Sequence, residues 1–475
     1  MTQSETLDIL KTGANVFLTG EPGSGKTHTI NEYAEFLRSR GIEPAITAST
    51  GIAATHLNGV TIHSWSGLGI KSRLTRYDLD KIASTEYVAK RVKNARVLII
   101  DEVSMLSAET LAMVDVICRE IRNDPQPFGG LQTILVGDFF QLPPVMKNDL
   151  LNRRQTTLIE DLSGKFAYDS PAWNRANFIV CYLTEQYRQD DKDFLAILSA
   201  IRRNSFSNEH LRHLATRKIE INAAPANAPK LFSHNVDVDY VNSEILAKLP
   251  NRTRIFDMSA EGPVGLVAIM KKGCLSPESL CLKTNAAVMF TKNNLKEGFV
   301  NGTLGVVLGF DKIDNSPVIK TLSGKRIKVE PMDWTVEENG RVRARLTQMP
   351  LRLAWAITVH KSQGISLDEA VMDLSQVFEF GQGYVALSRV RRLAGVHLLG
   401  WNERAFQVHP EVLEKDEMFR AASDSAKIIF AKLADSELEK LHRDFLVACN
   451  GRFDSLDSGL FGEKKKKKKK KFNLY

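Results

Sequence analysis

The chain has 475 residues, of which 43% are hydrophobic and 25% charged, a balance typical of a globular protein with about two to four domains. Its formal net charge is +8, and the eight consecutive lysines from Lys464 to Lys471 supply all of it. The rest of the chain carries 56 basic and 56 acidic residues, so the basic balance alone does not indicate a nucleic-acid partner.

The sequence gives no sign of export or of a membrane. No apolar run approaches the roughly 18 residues of a membrane span, and the folded pattern begins almost at Met1, so we expect no signal peptide. The five cysteines are scattered without a C-x-x-C pair, which argues against a disulfide framework or a zinc site. We expect a cytoplasmic protein, at the nucleoid if it is bacterial.

The lysine run and two basic stretches leave several interpretations open. The run is a solvated tail, a non-specific DNA anchor, or a nuclear localisation signal that would place the protein in the nucleus. Residues 71–96 and 283–328 each carry eight basic and three acidic residues. Either stretch is a DNA path or simply a solvated face.

A phosphate-binding loop is the most specific motif. Residues 20–27 read G-E-P-G-S-G-K-T, after an apolar run at 15–18 and before a segment with helical spacing at 27–37. This strand, loop and helix context disfavours an ordinary glycine-rich turn. Backbone N–H groups of the loop would cradle phosphates, Lys26 would reach the β- and γ-phosphates, and Thr27 would hold Mg²⁺. The loop residues concerned are Gly20, Gly23, Ser24, Gly25, Lys26 and Thr27.

The first third of the chain predicts a parallel α/β sheet. Candidate strands at 16–19, 45–48, 97–100 and 133–136 each end in a polar loop, and parallel sheets bind ligands at the carboxyl ends of their strands. Residues 61–94 interrupt the pattern as a small insert. A second α/β region begins near Phe178, pauses, and resumes near Leu351.

Residues 242–347 differ in sequence pattern from the α/β regions on either side. Short β-rich runs at 287–291, 305–310 and 317–321 alternate with Asn-Gly and Ser-Gly turns, which predicts a small antiparallel barrel inserted into the second α/β region. Residues 410–454 are predicted as amphipathic helices with a packing role, and the tail from 455 as disordered.

Two carboxylates follow the strand at 97–100. Asp101 would hold Mg²⁺, and Glu102 would orient and deprotonate the attacking water. Gln141 would contact the γ-phosphate from the next strand. An Asp-Glu pair alone is most often a surface pair, but after a matching phosphate loop it indicates hydrolysis. Arg188 and Arg389 are candidates for the positive charge that hydrolysis needs, with ordinary surface arginines as the alternative.

The chain resembles the PIF family of DNA helicases, in the RecD-like, 5′-to-3′ branch of superfamily one. The resemblance rests on segments that follow the family's order from Gln3 to about Leu399: 20–27, 47–54 (T-A-S-T-G-I-A-A), 61–65, 101–105, 137–145 (G-D-F-F-Q-L-P-P-V), 187–189, 299–303, 356–364 (A-I-T-V-H-K-S-Q-G) and 383–389 (G-Y-V-A-L-S-R).

The resemblance implies an α/β fold of two RecA-like P-loop domains, with a small insert in the first and an SH3-like β-barrel in the second. The corresponding divisions are 1–176 with the insert at about 61–94, then 177–241 with 348–409, the barrel at 242–347, helices at 410–454 and the tail at 455–475. ATP would lie between the domains, with Gln3 reading adenine and Gly364 also at the nucleotide. Gln141 would sense the γ-phosphate, and Arg188 and Arg389 would act as fingers.

The resemblance also implies a DNA path. The candidate contacts to phosphates or bases are Thr50, Gly51, His63, Phe139, Lys292, Asn301, Thr358, His360 and Lys361. His63, Trp65 and Phe139 would stack on bases, and an aromatic side chain beside a sheet is as often part of the core.

The predicted function is an ATP-dependent, Mg²⁺-requiring helicase in replication, repair, recombination or telomere maintenance. Its substrate, DNA single strands and forks, and its 5′-to-3′ direction are what the resemblance implies. G-quadruplex DNA is a further candidate partner, and we expect a monomer without membrane contact. Three alternatives stay open: a translocase or remodeller that does not separate strands, a nucleotide-switched DNA-binding loader, and an RNA helicase.

Overall fold

The computed structural model describes residues 1–50, 53–54, 60–69, 71–144, 164–185, 191–225, 228–233, 235–292, 294, 296–299, 303–322, 324–338, 341–359, 362–363 and 367–453. The strands are β1 (Val16–Gly20), β2 (Ala45–Ala48), β3 (Val60–Thr61), β4 (Val97–Asp101), β5 (Gln132–Val136), β6 (Ile179–Leu183), β7 (Lys230–Phe232), β8 (Arg254–Asp257), β9 (Ser259–Glu261), β10 (Ser279–Leu282), β11 (Ala287–Phe290), β12 (Leu304–Phe310), β13 (Pro317–Thr321), β14 (Arg326–Lys328), β15 (Met332–Glu338), β16 (Arg341–Gln348), β17 (Leu351–Leu353), β18 (Ala356–Thr358), β19 (Ala370–Leu374) and β20 (Val396–Trp401).

The helices are α1 (Gln3–Lys11), α2 (Lys26–Ser39), α3 (Ile62–Ser66), α4 (Arg76–Ser84), α5 (Glu86–Asn94), α6 (Ala108–Arg122), α7 (Pro171–Ala176), α8 (Lys192–Arg202), α9 (Asn208–Ala215), α10 (Asn235–Lys248), α11 (Val264–Gly273), α12 (Gln382–Leu387), α13 (Pro410–Ala431) and α14 (Asp435–Ala448). Among the residues that the structure describes, no helix is both long enough and apolar enough to cross a membrane.

Six parallel strands form the first sheet, in the order β3-β2-β4-β5-β1-β6. Alternate residues of each strand face opposite sides of a sheet, and both sides are buried here. Val16 and Leu18 pack in the cluster that includes α1 and α2, whereas Phe17 packs in the cluster that includes α6. All four strands predicted for the first third of the chain lie in this sheet, which confirms the parallel α/β prediction.

The strand Ile179–Leu183 corrects the predicted start of the second α/β region. It pairs with β1 in parallel register, Val16 opposite Ile179, and forms the edge of the first sheet. The division between 176 and 177 is therefore wrong, because this apolar run completes the first lobe. The second sheet has four parallel strands in the order β18-β7-β19-β20.

The segment predicted as an insert, 61–94, folds as three helices that lie against α6. Trp65, Leu79 and Val88 are buried in the same core cluster as the first sheet. Trp65 is only 5% exposed, so the structure supports its core interpretation over base stacking. The segment is thus a helical layer of the first lobe.

The chain between β7 and β18 contains the predicted β-rich region. Its largest sheet is antiparallel, in the order β14-β13-β12-β11-β17, and encloses a core of its own around Val288, Phe290 and Ile319. The three β-runs predicted there lie in β11, β12 and β13. The helix α11, which packs against β16, was not predicted.

The last two helices return to the first lobe. The Tyr182 N–H on β6 donates to Ser423 Oγ on α13 over 3.0 Å. The His442 ring on α14 lies 2.8 Å from the Asp8 carbonyl oxygen on α1. These contacts agree with the packing role predicted for the two helices.

Phe139, predicted to stack on a base, lies instead in an aromatic core. Its side chain is 5% exposed, and its ring centroid lies 4.8 Å from that of Tyr168 and 5.5 Å from that of Phe17. Phe419 of α13 stacks against it at 6.1 Å. The stacking prediction for Phe139 is wrong because its faces are already covered by protein.

We expect Phe139→Ala to lower the free energy of unfolding by about 3–5 kcal/mol, since it leaves a cavity among packed aromatic rings. Urea unfolding would measure the loss. Tyr77→Ala, at a tyrosine that is 75% exposed, is the control and should change stability by less than about 0.5 kcal/mol. Equal effects of the two substitutions would contradict the core placement of Phe139.

Candidate nucleotide-binding cleft

The phosphate loop connects β1 to the N-terminus of α2. Gly23 and Gly25 have φ of 89° and 91°, a conformation that favours glycine, and a Cβ on Gly25 would lie 1.8 Å from Gln3 Nε2. Lys26 Nζ donates to the carbonyl oxygens of Gly20 and Glu21 over 2.8 and 3.1 Å. The lysine is therefore held over the loop, and the positive end of α2 faces the same space.

Gln3 lies directly against this loop. Its Nε2 donates to the Ser24 carbonyl oxygen over 3.3 Å, and its backbone N–H donates to Glu185 Oε2 over 3.0 Å. A capping box between Thr2 and Glu5 fixes the start of α1. The structure thus brings Gln3 against the phosphate loop, and its contact with adenine stays a prediction.

Asp101 and Glu102 project from the carboxyl end of β4, where Ser49 supports their backbone. The Ser49 N–H donates to the Asp101 carbonyl oxygen over 3.0 Å, and the Ser49 hydroxyl donates to that of Glu102 over 2.7 Å. Burial and the neighbouring Glu102 raise the pKa of Asp101 to about 7. Burial also raises the pKa of Glu102, against the opposing charges of Arg389 and Lys26. A carboxylate with a raised pKa is a stronger base toward water.

The donor set fits Mg²⁺. The Thr27 hydroxyl and the Asp101 carboxylate are hard oxygen donors of the kind Mg²⁺ prefers. Among the residues that the structure describes, no group of three or more His, Cys, Asp or Glu side chains could hold a metal on its own. An ion shared with ATP phosphates fits this sparse set, since Mg²⁺ usually binds through one or two carboxylates plus substrate phosphates.

The raised pKa of Asp101 predicts a pH dependence of stability. Its ordinary value is 3.8, so between that pH and about 7 the folded protein binds the proton more tightly than the unfolded chain does. Stability from this group therefore falls as pH rises through that window and is constant above it. In EDTA, urea unfolding should show wild type losing stability relative to Asp101→Asn from about pH 4 to 7. Parallel curves would contradict the assignment.

A bridge of amides crosses the cleft. Gln363, from the second lobe, donates from Nε2 to Glu102 Oε2 over 3.0 Å and to Gln141 Oε1 over 3.3 Å. Gln141 is 6% exposed and in turn donates to Asp138 Oδ2 over 3.4 Å. The structure brings the predicted Gln141 and Glu102 together. Sequence reasoning assigned no role to Gln363, and the only signal was its place in the segment 356–364.

Arg389 reaches the same cleft from the second lobe, just after α12. It is 2% exposed, and its guanidinium donates from Nε to the Val385 carbonyl oxygen and from Nη2 to Ser388 Oγ, each over 2.9 Å. Its charge lowers the pKa of Glu102, against the burial that raises it, so the two groups interact across the cleft. Arg188 and Gly364 lie outside the described residues.

The cleft has a volume of about 1120 Å³, large enough for a nucleotide. Its walls come from both lobes. They are Pro22, Gly23, Gly25, Lys26, Thr27, His28, Glu102 and Gln141 from the first, and Asp368, Glu369, Arg389, Arg391, Arg392, Ala394, Gly395 and His397 from the second.

The predicted DNA contacts have varied surroundings. Thr50 and His63 are partly exposed beyond the first sheet, and Thr358 is 3% exposed at the end of β18. The Lys292 ammonium donates to the Asp333 carbonyl oxygen and lies 5.0 Å from the centre of the Trp334 ring. These four contacts stay predictions. Gly51, Asn301, His360 and Lys361 lie outside the described residues.

The site combines a phosphate loop after β1, an Asp-Glu pair at the end of β4 and a facing arginine, and it lies between two parallel sheets. These features define a P-loop nucleoside triphosphatase. The family model for PIF1-like helicase matches residues 4–213. The chain is 39% identical to the ATP-dependent DNA helicase Pif1 of Psychrobacter sp. (strain PRwf-1), over 97% of this chain and 77% of that one.

Two solved structures are similar as well. The Pif1 helicase from Candida albicans has a TM-score of 0.79 and 31% identity, covering 88% of this chain and 98% of that chain. The Pif1 helicase from Bacteroides, in complex with ADP-AlF3 and ssDNA, has a TM-score of 0.72 and 30% identity, covering 90% and 97%. The chain belongs to the PIF1-like helicase family, which confirms the resemblance drawn from its motifs.

Proposed function

We propose that this chain is an ATP-dependent DNA helicase that moves along single-stranded DNA in the 5′-to-3′ direction. The observation that carries the proposal is the division of the cleft. Lys26 and Glu102 belong to one lobe, and Gln363 and Arg389 belong to the other. A ligand that both lobes must grip favours their closure, and its hydrolysis favours opening. Relatives named as ATP-dependent DNA helicases, and a relative crystallised with ADP-AlF3 and ssDNA, support the same conclusion.

The hydrolytic step follows from the contacts in the cleft. Lys26 would exchange its two carbonyl partners for phosphate oxygens, which offer full negative charge. Glu102, once released by Gln363, would accept a proton from the attacking water. Arg389 would then stabilise charge on the transferred phosphoryl group. Mg²⁺ held by Thr27 and Asp101 would neutralise charge on the nucleotide phosphates.

The DNA path and the finer architecture belong to the same proposal. Thr50 lies beyond the first sheet and Thr358 ends a strand of the second, so each lobe would supply a phosphate contact, joined by His63 and Lys292. The antiparallel β-region would be an SH3-like barrel inserted into the second RecA-like domain. We further propose a monomer that acts on single strands, forks and G-quadruplex DNA, in the bacterial nucleoid or in a nucleus.

Strand displacement on matched 5′-tailed and 3′-tailed duplexes, each as DNA and as RNA, tests the proposal. With ATP, the 5′-tailed DNA duplex should be unwound at least about tenfold faster than the other three substrates. Unwinding from the 3′ tail would reverse the direction, and preference for the RNA duplex would make the enzyme an RNA helicase. DNA-stimulated ATP hydrolysis without strand displacement would indicate a translocase.

A further inference from the structure

A buried ion cluster lies between the two lobes, beside the nucleotide cleft but outside it. Arg202, the last residue of α8, is 1% exposed, and Asp138 from the loop after β5 is 0% exposed. Arg202 Nη1 donates to Asp138 Oδ1 over 2.7 Å. Asp416 and Arg420 of α13 complete the cluster with a second ion pair of 2.7 Å. The two positive and two negative charges compensate one another.

Arg202 contacts every element that meets at this point. Its Nη1 also donates to the Tyr384 hydroxyl on α12 over 3.3 Å, and its Nη2 donates to the Tyr182 hydroxyl on β6 over 2.7 Å. Asp416 Oδ1 lies 3.4 Å from Nη2. The guanidinium carbon Cζ lies over the Phe140 ring, 4.1 Å from its centre. Only a planar fork can make these contacts together, so lysine cannot replace Arg202 here.

The cluster is connected to the hydrolytic site through Asp138. One oxygen of that carboxylate takes the Arg202 hydrogen bond, and the other accepts from Gln141 Nε2 over 3.4 Å. Gln141 then meets Gln363, and Gln363 meets Glu102. Arg202 and the Phe140 N–H, which donates to the same Oδ1 over 3.2 Å, together orient the Asp138 carboxylate. That carboxylate in turn sets where the Gln141 amide points.

We propose that Arg202 is a positioning residue: through Asp138 it holds the Gln141 amide in the orientation that senses the γ-phosphate, and it links this sensor to the helix that precedes Arg389. The proposal rests on the proposed function of Gln141. It gives the buried charges a task beyond stability, since a buried ion pair by itself contributes little net stability compared with apolar packing.

The test compares single-stranded-DNA-stimulated ATP hydrolysis in Arg202→Lys, Asp138→Asn and Gln141→Ala. All three should lose kcat by about 10²-fold with little change in the KM for ATP, as expected when a group is misplaced by about 1 Å. Arg203→Ala, at the adjacent exposed arginine, is the control and should match wild type. Asp416→Asn disturbs the same cluster without touching the branch to Gln141, so it should lower the Tm and spare kcat.

The decisive measurement is made in the Gln141→Ala background. Adding Arg202→Lys or Asp138→Asn should cause no further loss of kcat, because the side chain they position is gone. Losses that multiply would overturn the proposal and assign Arg202 a purely structural role. Asp138→Asn is nearly isosteric and keeps the test valid if Arg202→Lys does not fold.

Failure of this proposal is separable from failure of the proposed function. If wild type unwinds DNA but the losses multiply, only the positioning role is overturned. If Gln141→Ala has normal kcat, the sensor role and the positioning role fall together, and the helicase assignment stands. If wild type neither hydrolyses ATP nor unwinds DNA, the proposed function itself is wrong.

Discussion

Lys26→Ala is expected to abolish ATP hydrolysis stimulated by single-stranded DNA, with a loss of about 10²–10³-fold or more in kcat. The Lys26 ammonium is held over the phosphate loop by two backbone carbonyls, at 2.8 and 3.1 Å, and can exchange them for phosphate oxygens. Alanine removes both the charge and the donor from the place where β- and γ-phosphates bind.

Steady-state phosphate release at saturating DNA measures this loss. Lys440→Ala, at an exposed lysine of α14, removes the same charge far from the cleft and should hydrolyse ATP at the wild-type rate. Unwinding of a tailed duplex should disappear together with hydrolysis. A Lys26→Ala protein that turns over ATP within about tenfold of wild type would refute the nucleotide site.

Arg389→Ala is expected to reduce kcat by about 10³–10⁵-fold, the range of arginine-finger losses. Arg389 is 2% exposed, and its guanidinium donates two hydrogen bonds, to the Val385 carbonyl oxygen and to Ser388 Oγ, which fix it in the wall of the cleft. Because the arginine lies on the second lobe and the phosphate loop on the first, its contact with the phosphates depends on how closely the two lobes approach. Its removal should therefore affect kcat far more than the affinity for ATP.

Arg389→Lys is the informative partner of this substitution. It keeps the charge but loses the planar fork, so it should recover only part of the lost rate. Arg212→Ala, at an exposed arginine of α9, is the control for the loss of a positive charge from the second lobe. Equal falls in kcat and ATP affinity would indicate that Arg389 binds the ground state and is not a finger.

The first sheet was predictable because its strands are short apolar runs with polar ends, and the phosphate loop fixed where the first strand stops. The position of Ile179–Leu183 in that sheet could not be predicted, because an apolar run does not indicate which sheet it will join. Phe139 was misassigned for a similar reason: its burial depends on Tyr168 and Phe419, which are distant in the sequence.

The candidate site likewise contains some residues that the sequence reveals and some contacts that only the structure reveals. Lys26, Thr27, Asp101 and Glu102 have fixed spacings from a glycine loop or a strand end, which sequence alone reveals. The contact of Gln363 with Glu102 joins residues 261 positions apart, and only the approach of two lobes produces it. The Arg202 cluster is similarly non-local, and a buried arginine has no pattern that distinguishes it from an exposed one.

The return of α13 to β6 limits how the two lobes can move. The chain passes from the first sheet to the second after β6, and it passes back between β20 and α13, which packs on β6. Two covalent connections restrict the relative motion of the lobes to rotation about one axis, whereas a single connection would allow rotation about several axes. We therefore expect the relative motion of the lobes to have essentially one degree of freedom. A closing cleft would then bring the two lobes together along the same path in every cycle.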